Sequence, residues 1–471
     1  MQLVWFRQDL RLIDHPALRR ACHEAKHSGE PVEAVFIISR AQWQKHHMAP
    51  LRERFWLERV NVLGGELARL GIRLHLLEVP WFTDIPAALH QLVISRGATA
   101  LHAINAIEID ERRRDEAVAA TLPISCHFVP GCCVFAPGSI LTGKGEPFKV
   151  FTPFCRAWTK RLSSEGFSLH RAPAAVGEPV AWNPLVLAPL NEAEAAALAD
   201  WPVSEGAGEA RLGEFISGDL AEYGELRDLP AQAGTSRLSA YLAAGILSPR
   251  QCLAALHQQL GALPLERGQP GFVWLNELVW REFYRHLLVL EPRLSMDQPF
   301  QRHTRQLAWR FDEQAFSAWC EGRTGFPVVD AAMRCLNQTG WMHNRLRMIV
   351  ASFLTKDLHI SWRLGEDYFM SRLIDGDLAA NNGGWQWSAG TGADAAPYFR
   401  VFNPTTQGQK FDPQGDFIRT WVTELADVPA AYIHEPHDWL RLKGRHDYPA
   451  PIVDHALARQ YAIAMFKQLE P

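Results

Sequence analysis

The sequence predicts an α/β unit, a doubly wound parallel sheet of five strands, followed by an all-α unit. Three observations carry this prediction. Over the first 130 residues, apolar runs of strand length alternate with longer segments of helical spacing, the pattern of a parallel sheet covered by helices. Gly and Pro then punctuate the chain from Pro130 to about Tyr223. Beyond about Ser236 the spacing is helical, and ten of the 17 Trp lie past residue 270.

The expected strands are residues 3–6, 32–38, 72–77, 100–104 and 124–129. Between them, Leu51, Phe55, Val60, Leu63 and Leu67 recur every three to five positions, which predicts a helix over 51–70 with one buried side. Folds of this kind bind ligands at the carboxyl ends of their strands. After the first strand stands Trp5-Phe6-Arg7-Gln8-Asp9 rather than a GxGxxG phosphate loop, which speaks against a dehydrogenase. Residues 130–223 read as a long connector with short helices. Further helices are expected at 274–290 and at 341–356, the second with Met342, Leu346, Ile349, Val350, Phe353 and Leu354 as its buried stripe. The expected divisions are therefore 1–130, 131–222 and 223–471.

Composition narrows the class. The 471 residues are 47% hydrophobic and 21% charged, an ordinary globular balance that excludes a disordered, collagenous or coiled-coil chain. Lys and Arg number 48 against 52 Asp and Glu, a net charge of −4, so any binding to nucleic acid must come from a local patch. The eight Cys are scattered without a CxxC pair, and Cys132 and Cys133 are adjacent, too close for an ordinary bridge. The start, MQLVWFRQDLRL, carries charge where a signal peptide needs an apolar core. No run approaches ~18 apolar residues, so no membrane span is expected. A cytoplasmic enzyme with reduced thiols is the expectation.

Four segments stand out chemically. In Gly234-Thr235-Ser236-Arg237-Leu238-Ser239, hydroxyls and backbone N–H groups before a helical pattern suit a phosphate, and equally a plain helix cap. In WLNELVWREFY, Glu277, Trp280 and Tyr284 share one helix face, as do Trp274, Glu277 and Arg281. A carboxylate between aromatic rings can accept a base N–H while a ring packs on the base; the alternative is a surface Glu277–Arg281 pair beside core Trp. In GWMHNRLRM, Asn344 and Met348 lie one turn apart, opposite the apolar stripe, and His343 has no partner at metal-ligand spacing, so no metal site is expected. The stretch Asp375-Gly376-Asp377-Leu378-Ala379-Ala380-Asn381-Asn382-Gly383-Gly384 offers acids and amides that can bond a heterocycle's edge. A solvated loop or a calcium loop are its other readings, though a DxDxDG pattern is missing.

Taken together, WFRQDLRL, KVFTPF, GTSRLSAYL, WLNELVWREFYRH, GWMHNRLRM, LIDGDLAANNGGWQW and YFRVFNPTTQGQKFD resemble the photolyase/cryptochrome family over nearly the whole chain. The likeness is greatest to bacterial class I cyclobutane pyrimidine dimer photolyases. It implies an α/β antenna domain, an interdomain connector and a helical FAD-binding, catalytic domain. It further implies a light-driven DNA repair lyase in which reduced FAD passes an electron to a pyrimidine dimer, the ring opens and the electron returns. The implied FAD contacts are Tyr223, Thr235, Ser236, Arg237, Leu238, Ser239, Trp274, Arg281, Arg347, Asp375, Gly376, Asp377 and Asn381, with Asp375 pairing with Arg347 and Asn381 facing flavin N5. Glu277 would bond the flipped bases, Trp280 and Trp387 would pack on them, and Asn344 and Met348 would complete the pocket. Arg227, Tyr284, Arg345, Arg400 and Gln407 are the further implied DNA contacts. Trp385, Trp362 and Trp309 match an electron relay that photoreduces the flavin.

An antenna chromophore is also implied. His46 and Glu111 match the folate-binding relatives, Asp110 replaces an Asn, and Ser295-Met296 replaces a Cys-Lys pair. Methenyltetrahydrofolate is the expected antenna, with a deazaflavin or an empty site as alternatives. UV-damaged DNA is the expected partner, with a monomeric protein and no obligate protein partner. A photosensory cryptochrome is the rival from another class; it usually carries a C-terminal extension, and this chain stops soon after Asp447-Tyr448-Pro449.

Overall fold

Five strands, β1 (Gln2–Phe6), β2 (Val32–Ile38), β3 (Arg73–Glu78), β4 (Ala100–Ile104) and β5 (Ser125–Val129), form one parallel sheet in the order β3-β2-β1-β4-β5. Each expected strand is present to within a residue at either end. The central strands β1, β2 and β4 are buried at every position, as strands covered on both faces must be. The edge strands β3 and β5 are only partly buried. Register is set by pairs such as Val4 with Ala34 and Val4 with His102. This is the computed structural model of the chain, and it describes residues 1–469 in two compact units. The first unit takes Met1–Ala221, Ser236–Met296 and Asp375–Asp377; the second takes Glu222–Thr235, Asp297–Ile374 and the chain from Leu378 onward.

In the first unit, the strand order reverses between β1 and β4, the place where open α/β sheets commonly take a ligand. Here the chain fills it with its own charges. Arg7, just past β1, bonds Asp115 at 2.6 Å and lies 4.6 Å over the Trp5 ring, with Arg114 at 4.7 Å from the same ring. The Arg7 backbone N–H donates to Asp9, and Asp9 sits 3.2 Å from the buried His15. The WFRQD string thus encodes an internal ion cluster. The connector holds helices Phe151–Glu165, Glu192–Ala199 and Glu205–Ser217. The first and last are longer than the short helices expected. Pro153 does not break the first, because it falls in the opening turn, where its missing N–H would have had no helical partner. The stretch between is laid along the helix Pro50–Arg69: Trp182 donates to the Asn61 carbonyl and Leu185 N–H to the Asn61 side chain.

The second unit is helical around a large apolar cluster that includes Trp319, Trp362, Trp385, Leu346, Ile349 and Val350. Helix Asn344–Ser352 starts three residues later than the spacing predicts, because His343 takes the cap position and its Nδ1 accepts from Arg345 N–H at 3.1 Å. The helical path then widens into a π turn, Phe353–Asp357. Helix Leu378–Ala389 runs straight through Gly383 and Gly384. Packing outweighs their weak helix propensity here. A Cβ at Gly365, on helix Trp362–Met370, would stand 2.1 Å from the Trp385 ring, so the two helices meet only because that position is Gly.

Two of the sequence motifs are joined in the first unit by a glycine. Gly245 has φ +67° and closes the short helix Ser239–Ala243. Leu10 N–H donates to the Ala244 carbonyl at 3.2 Å, and Arg11 donates to the Gly245 carbonyl at 3.0 Å. A Cβ at Gly245 would lie 2.2 Å from the Gln8 carbonyl oxygen. Gly245→Ala is therefore expected to cost about 1–3 kcal/mol for the backbone conformation alone, with the clash added. Thermal melting checks this, and an unshifted midpoint would contradict it.

Candidate functional site

The helix Phe272–Leu290 supplies five of the first unit's candidate residues, Trp274, Glu277, Trp280, Arg281 and Tyr284. Its inner side buries Leu278, Glu282, Phe283, Arg285 and His286. Its outer side leaves Glu277, Trp280, Arg281 and Tyr284 half-buried, one stripe at steps of three and one. Phe151, from the KVFTPF string, stacks on Trp280 with centroids 3.7 Å apart and planes 5° from parallel. Tyr284 lies 5.6 Å from Trp280. Trp280 is thereby held rigid, with one ring face taken by the protein. Trp274 is buried, 5.3 Å from Phe215.

Arg281 donates to the carbonyls of Cys132 at 3.0 Å and Leu242 at 3.1 Å. Burial pushes its guanidinium below the ordinary range, with Arg285 nearby adding to the push. Ser236, Arg237, Leu238 and Ser239 lead into the helix Ser239–Ala243, which carries Leu242. That helix is five residues long, its cap position Leu238 already has helical backbone angles, and no side chain caps it. Arg237 has φ +47° and reaches Asp200 at 3.1 Å, lying 5.2 Å over Trp201. Asp375 and Gly376 are buried, and Asp377 pairs with Arg285. His46 is gathered with Asp110 at 3.2 Å and Glu111 at 3.6 Å. Burial lowers the His46 pKa, but the two carboxylates outweigh it and the net shift is upward.

In the second unit, Asn344 is exposed and its amide lies 4.0 Å from the Met348 sulfur, as helical spacing requires. Arg345 turns to Asp228 at 2.8 Å and over Phe411 at 4.4 Å. Arg347 donates to the Met342 carbonyl at 2.8 Å. Arg227 covers the Tyr223 ring at 5.3 Å, and Tyr223 itself is buried. Arg400 is exposed and Gln407 half-buried. Thr235 belongs to this unit. Asn381, Trp385 and Trp387 lie on helix Leu378–Ala389, where a loop was one expectation. Trp362 and Trp385 are buried, while Trp309 and Trp387 are half-buried against the same cluster.

Comparison with known proteins decides the family. The family model "DNA photolyase" matches residues 2–176, and "FAD binding domain of DNA photolyase" matches residues 274–468. The deoxyribodipyrimidine photo-lyase of Salmonella typhimurium is 50% identical, over 99% of this chain and 98% of its own. A class III photolyase structure from Agrobacterium tumefaciens superposes with a TM-score of 0.85 at 36% identity, covering 99% of this chain and 97% of that one. A Synechocystis cryptochrome structure gives 0.84 at 30% identity, covering 99% of both chains. The chain belongs to the DNA photolyase family.

The residues present suit the FAD of that family. Arg281 is a half-buried cation whose hydrogen bonds go to neutral carbonyls, so its charge remains for a phosphate. Arg52, fully buried in the same unit and under the influence of Asp377 and Asp375, has a buried Nε with no hydrogen-bond partner. Asn381 donates its Nδ2 to the Glu366 carbonyl at 3.0 Å, which leaves its Oδ1 as an acceptor for a ring N–H.

Sequence reasoning missed the residues that support the candidate side chains within each unit. Phe151 and Arg285 lie inside quoted motifs but carry no isolated chemical signal. Glu366, outside every motif, is the most consequential. Its carboxyl accepts from Asn382 at 3.0 Å, Asn382 accepts from Gln386 at 2.9 Å, and Gln386 accepts from Phe300 N–H at 2.8 Å. Burial pushes the Glu366 pKa from its ordinary 4.5 up to about 8, so it is protonated at neutral pH. Stability from this group is full below about 4.5 and is lost once pH has risen through about 8. Glu366→Gln keeps an acceptor for Asn382 and cannot ionise. Its melting temperature should therefore fall less steeply than the parent's between pH 4.5 and 8. Parallel profiles for the two proteins would count against the buried, neutral carboxyl.

Proposed function

We propose that the chain repairs UV-damaged DNA by splitting cyclobutane pyrimidine dimers under light, as a deoxyribodipyrimidine photo-lyase. The observation that carries this is the outer face of helix Phe272–Leu290, where Glu277 stands beside Trp280, a half-buried ring clamped by Phe151. A carboxylate next to a rigid ring is suited to a pyrimidine's N–H edge and its flat surface together. The full-length likeness to a deoxyribodipyrimidine photo-lyase names the substrate class.

FAD, when bound and reduced, supplies the light-driven electron and takes it back. The protein's part is binding, orientation and charge. In this reading Thr235, Ser236, Arg237, Leu238, Ser239 and Arg281 hold the diphosphate, and Tyr223, Trp274, Arg347, Asp375, Gly376 and Asp377 hold the remainder. Asn381 presents a neutral acceptor, which tolerates a protonated ring nitrogen better than a carboxylate partner would tolerate an added negative charge. Glu277 bonds the extruded bases, Trp280 and Trp387 pack on them, and Asn344 and Met348 close the pocket. Photolyases draw the target out of the base stack, and a lesion already distorted costs less to extrude. Trp385, Trp362 and Trp309 serve as the route by which oxidised FAD is recharged.

His46, Asp110 and Glu111 are assigned to an antenna chromophore of the methenyltetrahydrofolate type. Two acids around an imidazole suit the donor-rich edge of a pterin, and the buried Ser295 hydroxyl in the same unit has no hydrogen-bond partner. All eight cysteines are free thiols, the state a reducing cytoplasm maintains. We read the protein as a monomer acting there.

Reduced protein mixed with a dimer-containing oligonucleotide should release thymine monomers in blue light and none in the dark. Glu277→Ala should lower the monomer formed per absorbed photon while FAD stays bound. Absence of monomer from illuminated, FAD-loaded protein would defeat the assignment.

Binding to damaged duplex should weaken as salt rises, because each neutralised phosphate releases counterions. Arg400, an exposed candidate DNA contact, should account for about one unit of the log–log slope if it meets a phosphate. Arg400→Ala measured across a salt series checks this, and an unaltered slope would remove Arg400 from the interface.

A further inference from the structure

We propose that Cys132 and Cys133 form a reversible oxidation site, which hydrogen peroxide converts to a disulfide between neighbours. The pair lies just after β5, facing the helix Phe272–Leu290 within the first unit. Their sulfurs are 3.9 Å apart. Cys132 is half-buried, whereas Cys133 is 2% exposed. This is the arrangement of an attacking thiol that a small oxidant can reach and a resolving thiol already at hand.

The charges around the two sulfurs pull them apart in acidity. The Cys133 sulfur beside it, 3.9 Å away, draws Cys132 toward the thiolate; burial opposes this, and Arg285 and Arg281 add to the pull. Burial first, then the neighbouring Cys132 and Glu282, hold Cys133 protonated. Elsewhere burial raises Cys22, Cys126, Cys155, Cys252 and Cys320. Oxidation is therefore directed to Cys132 over those five, since the thiolate is the nucleophile.

The chemistry balances. The Cys132 thiolate attacks one peroxide oxygen, forming S–O and breaking O–O; the departing hydroxide takes a proton and becomes water. The Cys133 sulfur then attacks the Cys132 sulfur, forming S–S and breaking S–O. The released hydroxide leaves with the Cys133 proton as a second water. Two thiols are oxidised by two electrons, and one peroxide is reduced to two waters.

Closing the bond has a structural consequence. The sulfurs must come from 3.9 Å to a bond of about 2.05 Å. The ring so formed contains the Cys132–Cys133 peptide, so that peptide must turn. Its carbonyl is the one that accepts from Arg281 at 3.0 Å. The Cys133 carbonyl, one peptide on, accepts from Arg250 at 3.0 Å. Oxidation thus withdraws an acceptor from Arg281. Adjacent Cα atoms are about 3.8 Å apart, closer than in ordinary disulfides, which makes the bond strained and easily reduced. The effect on FAD rests on the role proposed for Arg281; the oxidation itself does not.

The test uses full-length, FAD-loaded protein titrated with hydrogen peroxide in the dark, then digested without reductant for mass spectrometry. The fragment holding both cysteines should lose two hydrogens, resist dimedone and be restored by dithiothreitol. Cys133→Ser should trap a dimedone-reactive sulfenic acid on Cys132, and Cys132→Ser should leave Cys133 reduced. A disulfide to any other cysteine, or sulfinic acid at Cys132 with no disulfide in the parent protein, would overturn the proposal. Flavin release, followed by fluorescence after dilution, should be severalfold faster from oxidised parent and unchanged by peroxide in both variants. Equal release from oxidised and reduced parent, with the disulfide present, would overturn the coupling through Arg281 alone.

Discussion

Two charged side chains buried one turn apart, Glu282 and Arg285, govern the first unit. Neither can be left without a partner, since a buried polar group with no hydrogen bond costs about 1–3 kcal/mol, and more when it is charged. Glu282 is answered by the Trp158 indole at 2.7 Å and by the Val134 N–H, Arg285 by Asp377. Those partners come from three separate stretches of chain. Each is fixed in place by having to meet a buried polar group on one helix. The same rotation that turns Glu282 and Arg285 inward turns Glu277, Trp280 and Tyr284 outward. The stripe assigned to the substrate is thus the other side of a structural obligation. Burial holds Glu282 near a pKa of about 7 even with both hydrogen bonds.

The second unit settles its own buried acid differently. Glu366 has no close cation among its hydrogen-bond partners and stays neutral, bound to an amide. A protonated carboxyl and two amides make a chain without net charge, running from Glu366 through Asn382 and Gln386 to the backbone of Phe300. The Glu366 carbonyl sets the Asn381 amide. One residue therefore orients two adjacent amides, one by its side chain and one by its backbone. Placing a neutral network there keeps a fixed negative charge away from the amide assigned to the flavin ring.

The parallel sheet was legible because its central strands β1, β2 and β4 are buried at every position and read as mostly apolar runs. The helix Phe272–Leu290 was legible because its two faces differ in composition. Helix Leu378–Ala389 was not, since two consecutive glycines argue locally against it and the deciding contact, Trp385 against Gly365, is twenty residues away in sequence. The start of helix Asn344–Ser352 was missed for a related reason. A His can cap a helix through its ring nitrogen, but only a structure shows which nitrogen faces the free N–H. Residue roles were most visible where a side chain's chemistry is unusual for its place, as with Glu277 among aromatics. They were least visible for supports such as Phe151 and Glu366, whose importance lies wholly in what they touch.

The proposed Trp relay shows how surroundings give direction to a chain of like groups. Trp385 and Trp362 are buried at 2% and 1% exposure, and Trp309 is half-buried, so solvent stabilises a positive hole best at Trp309. Arg363 sharpens that slope. Its guanidinium lies 4.9 Å from the Trp362 ring centre and is held there by a bond to the Asp297 carbonyl. Over a neutral ring this contact is favourable. Over an oxidised ring it becomes repulsive, by about 3 kcal/mol at an effective dielectric of about 20. A hole arriving at Trp362 is thus pressed to leave it. Since Trp385 has apolar and aromatic neighbours in Phe369 at 5.0 Å and Trp319 at 6.0 Å, and little water, the favourable exit is outward. The order of the relay follows from where charge is tolerated, rather than from any difference among the three indoles themselves.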